Sequence, residues 1–211
     1  MVRIKICGLT DPAGRDAARE GGADWLGLVF FSRSPRGVTP AAAAALAAGV
    51  PASWVGLFVR PSDAEVAAVL AEVRLSVLQV YADAARCAAL RARFGLPVWR
   101  AIGVRGAEDL PTGADGVDGL VIEAPPPEGS DRPGGNAARF DWRMLAGWRA
   151  PLPWLLAGGL TAENVAGAIA ATGAPGVDVS SGVESAPGRK DPARIAAFLA
   201  AARGGAASGV H

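Results

Sequence analysis

The chain has 211 residues, of which 51% are hydrophobic and 19% charged, and its formal net charge is +1. This composition excludes a globally disordered chain and gives no electrostatic basis for binding nucleic acid. The length suits a single α/β domain with a substantial core.

The reactive side chains of the sequence are few. Cys7 and Cys87 are its two cysteines, and His211 is its one histidine. These residues form no disulfide framework and have no metal-ligand spacing, so we expect no metal. A lone terminal histidine excludes Ser-His-Asp and Cys-His machinery, which leaves carboxylates, thiols, tyrosine or lysine for proton transfer.

The first residues show no signal-peptide pattern, and no apolar run is long enough to span a bilayer. We therefore expect a cytoplasmic protein with neither a membrane nor a nucleic-acid partner.

Eight short apolar segments recur along the chain and predict parallel strands that are covered on both faces. They are residues 3–9, 25–30, 53–59, 75–81, 98–104, 119–124, 153–159 and 176–182. Segments rich in Ala, Leu and Arg lie between them and predict helices at 12–21, 40–48, 62–72, 84–94, 141–148, 162–172 and 192–203. The connection after the fifth strand has no convincing helix, so we expect a short or irregular one there.

Eight strands alternating with helices predict an α/β fold, a single (β/α)8 barrel over residues 1–203 with a disordered tail at 204–211. A doubly wound open sheet is the alternative, but no G-x-G-x-x-G follows the first strand. The Pro/Gly-rich stretch 123–136 is interpreted as a long loop after strand six rather than as a domain linker.

Reactive groups of a barrel lie at the carboxyl ends of its strands. Cys7 ends the first strand, and alternation places Lys5 and Cys7 inside while Ile4 and Ile6 face the helices. Taken as an isolated cysteine, Cys7 would more often be a small buried hydrophobe than a reactive group.

Two carboxylates occupy comparable positions. Glu123 ends strand six, where it suits a proton donor, although a solvated loop carboxylate is the alternative interpretation. Asp178 alternates with Val177 and Val179 in strand eight, so it points into the barrel and needs partners there.

Two Gly-rich turns follow strands seven and eight, where barrels often bind phosphate. Gly158 and Gly159 free backbone N–H groups in the first turn, and Ser180, Ser181 and Gly182 add hydroxyls and a second anion nest. Together they predict a phosphorylated small-molecule substrate.

The loop 31–40 after strand two carries two arginines, Arg33 and Arg36, which suit a carboxylate or a phosphate. We expect Arg33 to be an ordinary solvated charge.

In chain order, these features resemble the phosphoribosylanthranilate isomerase family, the barrels of the tryptophan pathway. The resemblance rests on "KICGLT", "GLVFFSRSPR", "LQV", "AIGV", "GGN…FDW", "LLAGGLTAENV" and "GVDVSSGVESAPGRKD". The segments "PGGN" and "FDWRMLAG" resemble the proteobacterial members in particular.

The resemblance implies an Amadori rearrangement without a cofactor, in which an aminoribose phosphate becomes a ribulose phosphate. It implies that Cys7 is the base, that Arg36 binds the substrate carboxylate, and that Asp178 is the family's strand-eight aspartate. Its phosphate contacts fall on Gly158, Gly159, Ser181 and Gly182. We expect the protein to be a monomer.

Two positions depart from the family pattern. Glu123 stands in "LVIEA" where the family has an aspartate as general acid, and Tyr81 stands in "LQVYAD" where the family tends to read "LQLHG". These departures keep two alternatives open, namely an isomerase acting on another aminated phosphosugar and a non-catalytic phosphosugar-binding barrel.

Overall fold

The computed structural model describes residues 1–125, 141–145 and 147–204. Eight parallel strands close into a barrel in the order β1 to β8. They are β1 Arg3–Cys7, β2 Trp25–Phe30, β3 Trp54–Val59, β4 Val77–Tyr81, β5 Val98–Gly103, β6 Gly119–Glu123, β7 Trp154–Leu156 and β8 Gly176–Val179. All eight predicted strands are confirmed, and the closed order rules out the open sheet.

Six α-helices surround the barrel within the described residues. They are α1 Pro12–Glu20, α2 Pro40–Ala47, α3 Asp63–Glu72, α4 Ala84–Phe94, α5 Val165–Thr172 and α6 Pro192–Gly204. Short 3-10 helices form at Ala107–Asp109, Trp142–Leu145 and Ser181–Val183, and β9 Glu184–Ala186 pairs antiparallel with β10 Arg189–Lys190. The connection after β5 thus holds one short 3-10 helix in place of a full one, as predicted.

The helix predicted at 141–148 is shorter in the structure, where it is a 3-10 helix over Trp142–Leu145. Gly147 has a φ of +78°, a left-handed conformation that is typical of a helix end. Strand seven is also shorter than the predicted 153–159, because Gly158 and Gly159 have φ values of +86° and +62° and leave the strand conformation.

Two stretches of the sequence prediction fall outside the described residues. They are most of the Pro/Gly-rich loop, from residue 126 onwards, and the tail from residue 205 onwards. Both interpretations stay predictions.

Side-chain alternation gives the barrel wall two apolar faces. Ile4 and Ile6 are fully buried against the helices, while an inner cluster that includes Trp25, Val55 and Val77 fills the amino-terminal half of the barrel. The rings of Trp25 and Trp99 meet edge to face with centroids 4.8 Å apart. Because this half is packed with apolar side chains, polar groups gather at the carboxyl ends of the strands.

Candidate active site

An ion pair inside the barrel joins the first and last strands. The parallel register sets Lys5 opposite Asp178, and Lys5 Nζ donates to both carboxylate oxygens at 3.0 and 3.1 Å. Lys5 is 0% exposed and Asp178 7%, so each charge depends on the other for compensation. Burial by itself would lower the pKa of Lys5, but Asp178 and Cys7 raise it above the ordinary value, and the amine stays protonated.

Cys7 lies beside this ion pair and is buried. Gly27 of the neighbouring strand makes room for it, since a Cβ at Gly27 would lie 3.1 Å from Cys7 Sγ. Burial raises the pKa of the thiol, and this outweighs the opposing effect of the neighbouring Lys5 ammonium. The thiol is therefore protonated at neutral pH in the free protein, with a cation in contact to stabilise its ionised form.

Glu123, at the end of β6, is 4% exposed, which does not match a solvated loop carboxylate. Its Oε1 is buried and has no hydrogen-bond partner among the described residues. Burial raises the pKa of Glu123 to about 8, and Asp178 adds to this rise while Tyr81 and Lys5 oppose it. At neutral pH the residue is thus mainly a neutral carboxylic acid.

Arg36 is 5% exposed and is held by a buried carboxylate, Glu184. Its Nε and Nη2 donate to Oε1 and Oε2 of Glu184 at 2.7 and 2.8 Å, and Lys190 Nζ donates to Oε1 at 2.8 Å. Burial would raise the pKa of Glu184, but the two cations hold it below the usual range. Burial lowers the pKa of the Lys190 ammonium, and Glu184 opposes this effect by favouring the charged form. Arg33, by contrast, is exposed.

The turns after β7 and β8 border a cavity of about 530 Å³. Gly159, Ser181 and Gly182 are among its lining residues, together with Arg194. A Cβ at Gly182 would lie 1.9 Å from the carbonyl oxygen of Leu160, so only glycine fits this close approach of two backbones.

The other two predicted phosphate residues do not line this cavity. Ser180 Oγ donates to the carbonyl oxygen of Cys7 at 3.0 Å and lies 3.3 Å from Lys190 Nζ. Ser180 therefore ties β8 to the carboxyl end of β1, and Gly158 supplies the left-handed turn that precedes Gly159.

Sequence reasoning missed the contributions of Lys5, Lys190, Glu184 and Tyr81 to this region. A signal was present, because the chain has only two lysines and one tyrosine, and all three lie here. In a chain that otherwise uses arginine for positive charge, each retained lysine marks a position where a compact ammonium is needed. Glu184 left no comparable signal.

Within residues 1–125, 141–145 and 147–204 no three His, Cys, Asp or Glu side chains are arranged to hold a metal ion. No helix in that part of the chain is long and apolar enough to cross a membrane.

Comparison with known proteins identifies the family. The family model of N-(5'-phosphoribosyl)anthranilate isomerase matches residues 4–201. A relative of that name from Acidiphilium cryptum is 57% identical over 202 residues, which cover 96% of this chain and 98% of the relative. Another, from Paracoccus denitrificans, is 56% identical over 208 residues and covers 95% and 97%. These relatives confirm the resemblance to proteobacterial members.

Solved structures give the same result. The crystal structure of TrpF from Jonesia denitrificans superposes with a TM-score of 0.84 at 40% identity and covers 98% of each chain. Phosphoribosyl anthranilate isomerase in complex with reduced 1-(o-carboxyphenylamino)-1-deoxyribulose 5-phosphate superposes with a TM-score of 0.81 at 29% identity, covering 97% of this chain and 100% of that one. The chain therefore belongs to the N-(5'-phosphoribosyl)anthranilate isomerase family.

Proposed function

We propose that the protein converts N-(5'-phosphoribosyl)anthranilate into 1-(2-carboxyphenylamino)-1-deoxyribulose 5-phosphate in tryptophan biosynthesis, with Glu123 as general acid and Cys7 as general base. The observation that carries the assignment is a neutral buried carboxylic acid, with a pKa of about 8, in the same end of the barrel as a thiol in contact with a lysine. One group can give a proton and the other can take one, so the reaction needs no cofactor.

Ring opening uses the proton of Glu123. The acid transfers it to the furanose ring oxygen as the bond from that oxygen to C1′ breaks, and the anthranilate nitrogen supplies the electron pair that makes the iminium ion. Glu123 becomes a carboxylate in this step. Tyr81 and Lys5 both favour that charged form, so the residue is easier to ionise than burial alone would allow.

Proton abstraction then uses the sulfur of Cys7. The ionised thiol removes the C2′ proton, and the electron pair of that bond neutralises the iminium ion to give an enolamine. Lys5 stabilises the thiolate, and the positive charge of a nearby iminium ion acts in the same direction. The enolamine gains a proton at C1′ and loses the O2′ proton as it becomes the ketone.

The two anionic ends of the substrate fit two separate regions. The 5′-phosphate suits the cavity at Gly159, Ser181 and Gly182, where backbone N–H groups and a hydroxyl gather. The anthranilate carboxylate suits the guanidinium of Arg36, which lies in a buried cluster with Glu184 and Lys190. Glu184 fixes the guanidinium in place before the substrate arrives.

The test has two parts, complementation of a tryptophan auxotroph lacking this isomerase and turnover of phosphoribosylanthranilate by the purified protein. We expect growth and turnover. A protein that binds the reduced product analogue but turns nothing over would be a non-catalytic barrel. One that neither complements nor binds the analogue would point to another aminated phosphosugar.

A further inference from the structure

Arg36 lies in the connection between β2 and α2 and not on a strand of the barrel. Its backbone N–H donates to Ser34 Oγ at 3.2 Å, a contact that shapes the loop but does not hold the long side chain. That side chain crosses Gly8, the residue after Cys7, where a Cβ would lie 2.7 Å from Arg36 Cδ. The loop therefore places Arg36 beside the end of β1, and the guanidinium depends on other elements for its orientation.

The carboxylate of Glu184 supplies that orientation. Its Oε1 and Oε2 accept from Nε and Nη2 of Arg36 at 2.7 and 2.8 Å, and a bidentate pair fixes the plane of the guanidinium as well as its distance. The carboxylate is itself held, because Oε1 also accepts from Lys190 Nζ at 2.8 Å and Oε2 from the backbone N–H of Gly188 at 3.3 Å. Glu184 begins β9 and Lys190 ends β10, so one short hairpin carries both residues.

The ammonium of Lys190 connects this hairpin to the barrel wall. Besides Glu184 Oε1, it donates to the carbonyl oxygen of Ser180 at 3.0 Å and to Ser180 Oγ at 3.3 Å. Three acceptors require three N–H donors, which a lysine has only in its charged form. The hydroxyl of Ser180 in turn donates to the carbonyl oxygen of Cys7 at 3.0 Å. A chain of hydrogen bonds thus runs from the ends of β1 and β8 through Lys190 and Glu184 to Arg36.

We propose that Glu184 and Lys190 are positioning residues for Arg36. Through them its guanidinium is tied to the ends of β1 and β8, and this sets the affinity for the carboxylate end of the substrate. The proposal rests on the proposed role of Arg36 in binding the anthranilate carboxylate and deepens it. A guanidinium that is already oriented loses little conformational freedom when the carboxylate binds, so more of the interaction energy appears as affinity.

A purely structural role of Glu184 predicts a different result. If Glu184 only compensated two buried cations, its loss would disturb the turns around it and weaken binding of every part of the substrate. The turn Ser181–Val183, which borders the phosphate cavity, is joined directly to Glu184 in the chain. A positioning role confines the loss to the carboxylate, so ligands with and without that group distinguish the two roles.

The experiment compares two ligands by calorimetric titration, namely reduced 1-(o-carboxyphenylamino)-1-deoxyribulose 5-phosphate and its counterpart that lacks the carboxyl group. Glutamine keeps the shape of residue 184, but its NH2 group cannot accept from a guanidinium. We expect Glu184→Gln to weaken binding of the carboxylated ligand by about tenfold or more, the usual effect of losing a charge-assisted hydrogen bond. Binding of the other ligand should stay close to wild type. In turnover, KM should rise while kcat changes little.

The matched control is Glu184→Gln in the Arg36→Ala background, where it should cause no further loss for the carboxylated ligand because no guanidinium remains to be oriented. Glu184→Gln also leaves two buried cations without their anion. Lys190→Met therefore provides a second test, because it keeps the pair of Arg36 and Glu184, and we expect the same selectivity with a smaller loss.

Equal losses for the two ligands in either variant would overturn the proposal, and so would equal losses of Glu184→Gln with and without Arg36. A wild-type protein that binds both ligands equally would refute the carboxylate role of Arg36 and this proposal with it. Failure of the proposal alone is distinct from that result, because the wild type would then still prefer the carboxylated ligand and Arg36→Ala would not.

Discussion

The pH dependence of kcat/KM separates the acid from the base, since this quantity reports the ionisable groups of the free enzyme. Glu123 has a pKa of about 8, and the pKa of Cys7 lies above the ordinary thiol value. The reactive form needs a protonated Glu123 and an ionised Cys7. Its proton therefore lies on Glu123, the group with the lower pKa of the two. Below pH about 8 both groups are protonated, and above the pKa of Cys7 neither is.

We therefore expect kcat/KM to rise with pH through about 8, to level off, and to fall only above the pKa of Cys7. At pH 7 about 90% of Glu123 is protonated, as follows from a pKa one unit higher. Activity at neutral pH is then limited by the ionised fraction of the thiol and not by the acid.

Glu123→Gln tests this assignment directly, because the amide keeps the shape of the side chain but has no carboxyl proton to donate. We expect kcat to fall by about 10²–10⁴-fold, the usual cost of losing a general acid. The rise near pH 8 should also vanish, since glutamine does not titrate. The measurement is the initial rate of wild type and variant at pH values from below the Glu123 transition to above the Cys7 transition. A variant within tenfold of wild-type kcat, or one that keeps that transition, would refute the reasoning.

Glu123→Asp shortens the side chain while preserving the acid. We expect the rate to fall, because the carboxyl group withdraws by about one bond length from the substrate, and a displacement of ~1 Å can cost ~100-fold. The measurement is kcat of the Glu123→Asp variant and of the wild type at a pH below the transitions of both Glu123 and Cys7. A faster enzyme would mean that the site is not shaped around glutamate.

Three further changes are informative. Cys7→Ala should lower kcat by about 10²–10⁴-fold while leaving affinity for the reduced product analogue close to wild type, and retention of a tenth of kcat would exclude the base role. Arg36→Ala should raise KM by about 10- to 100-fold, corresponding to a charge-assisted hydrogen bond of ~1.5–3 kcal/mol, whereas the exposed Arg33→Ala should change it little; equal effects would contradict the assignment. Lys5→Met should cost ~3–5 kcal/mol of unfolding free energy in denaturant titrations by leaving Asp178 buried without its partner, and the double change Lys5→Met with Asp178→Leu should recover much of that loss.

Much of this site follows from local sequence patterns. Strand alternation is a property of the backbone, so Lys5, Cys7 and Asp178 could be assigned to the barrel interior from their spacing alone. The glycines after strands seven and eight indicated turns, because glycine adopts the left-handed conformations of turns without steric cost. The helix predicted at 141–148 forms only as the 3-10 helix Trp142–Leu145 within the described residues, and Gly147 after it adopts a left-handed conformation that composition does not reveal.

The tertiary structure decided which of these side chains are in contact and in which direction their pKa values shift. Lys5 and Asp178 are 173 residues apart in the chain, and Arg36 and Glu184 are 148 residues apart. The two members of each ion pair meet only because the barrel closes. The sign of the Cys7 pKa shift is set by competition between burial and the Lys5 ammonium, and both depend on distances in the closed barrel. The sequence could identify Glu123 and Tyr81 as unusual residues, but the effect of Tyr81 on the Glu123 pKa depends on barrel closure, which brings the ends of β4 and β6 to the same rim.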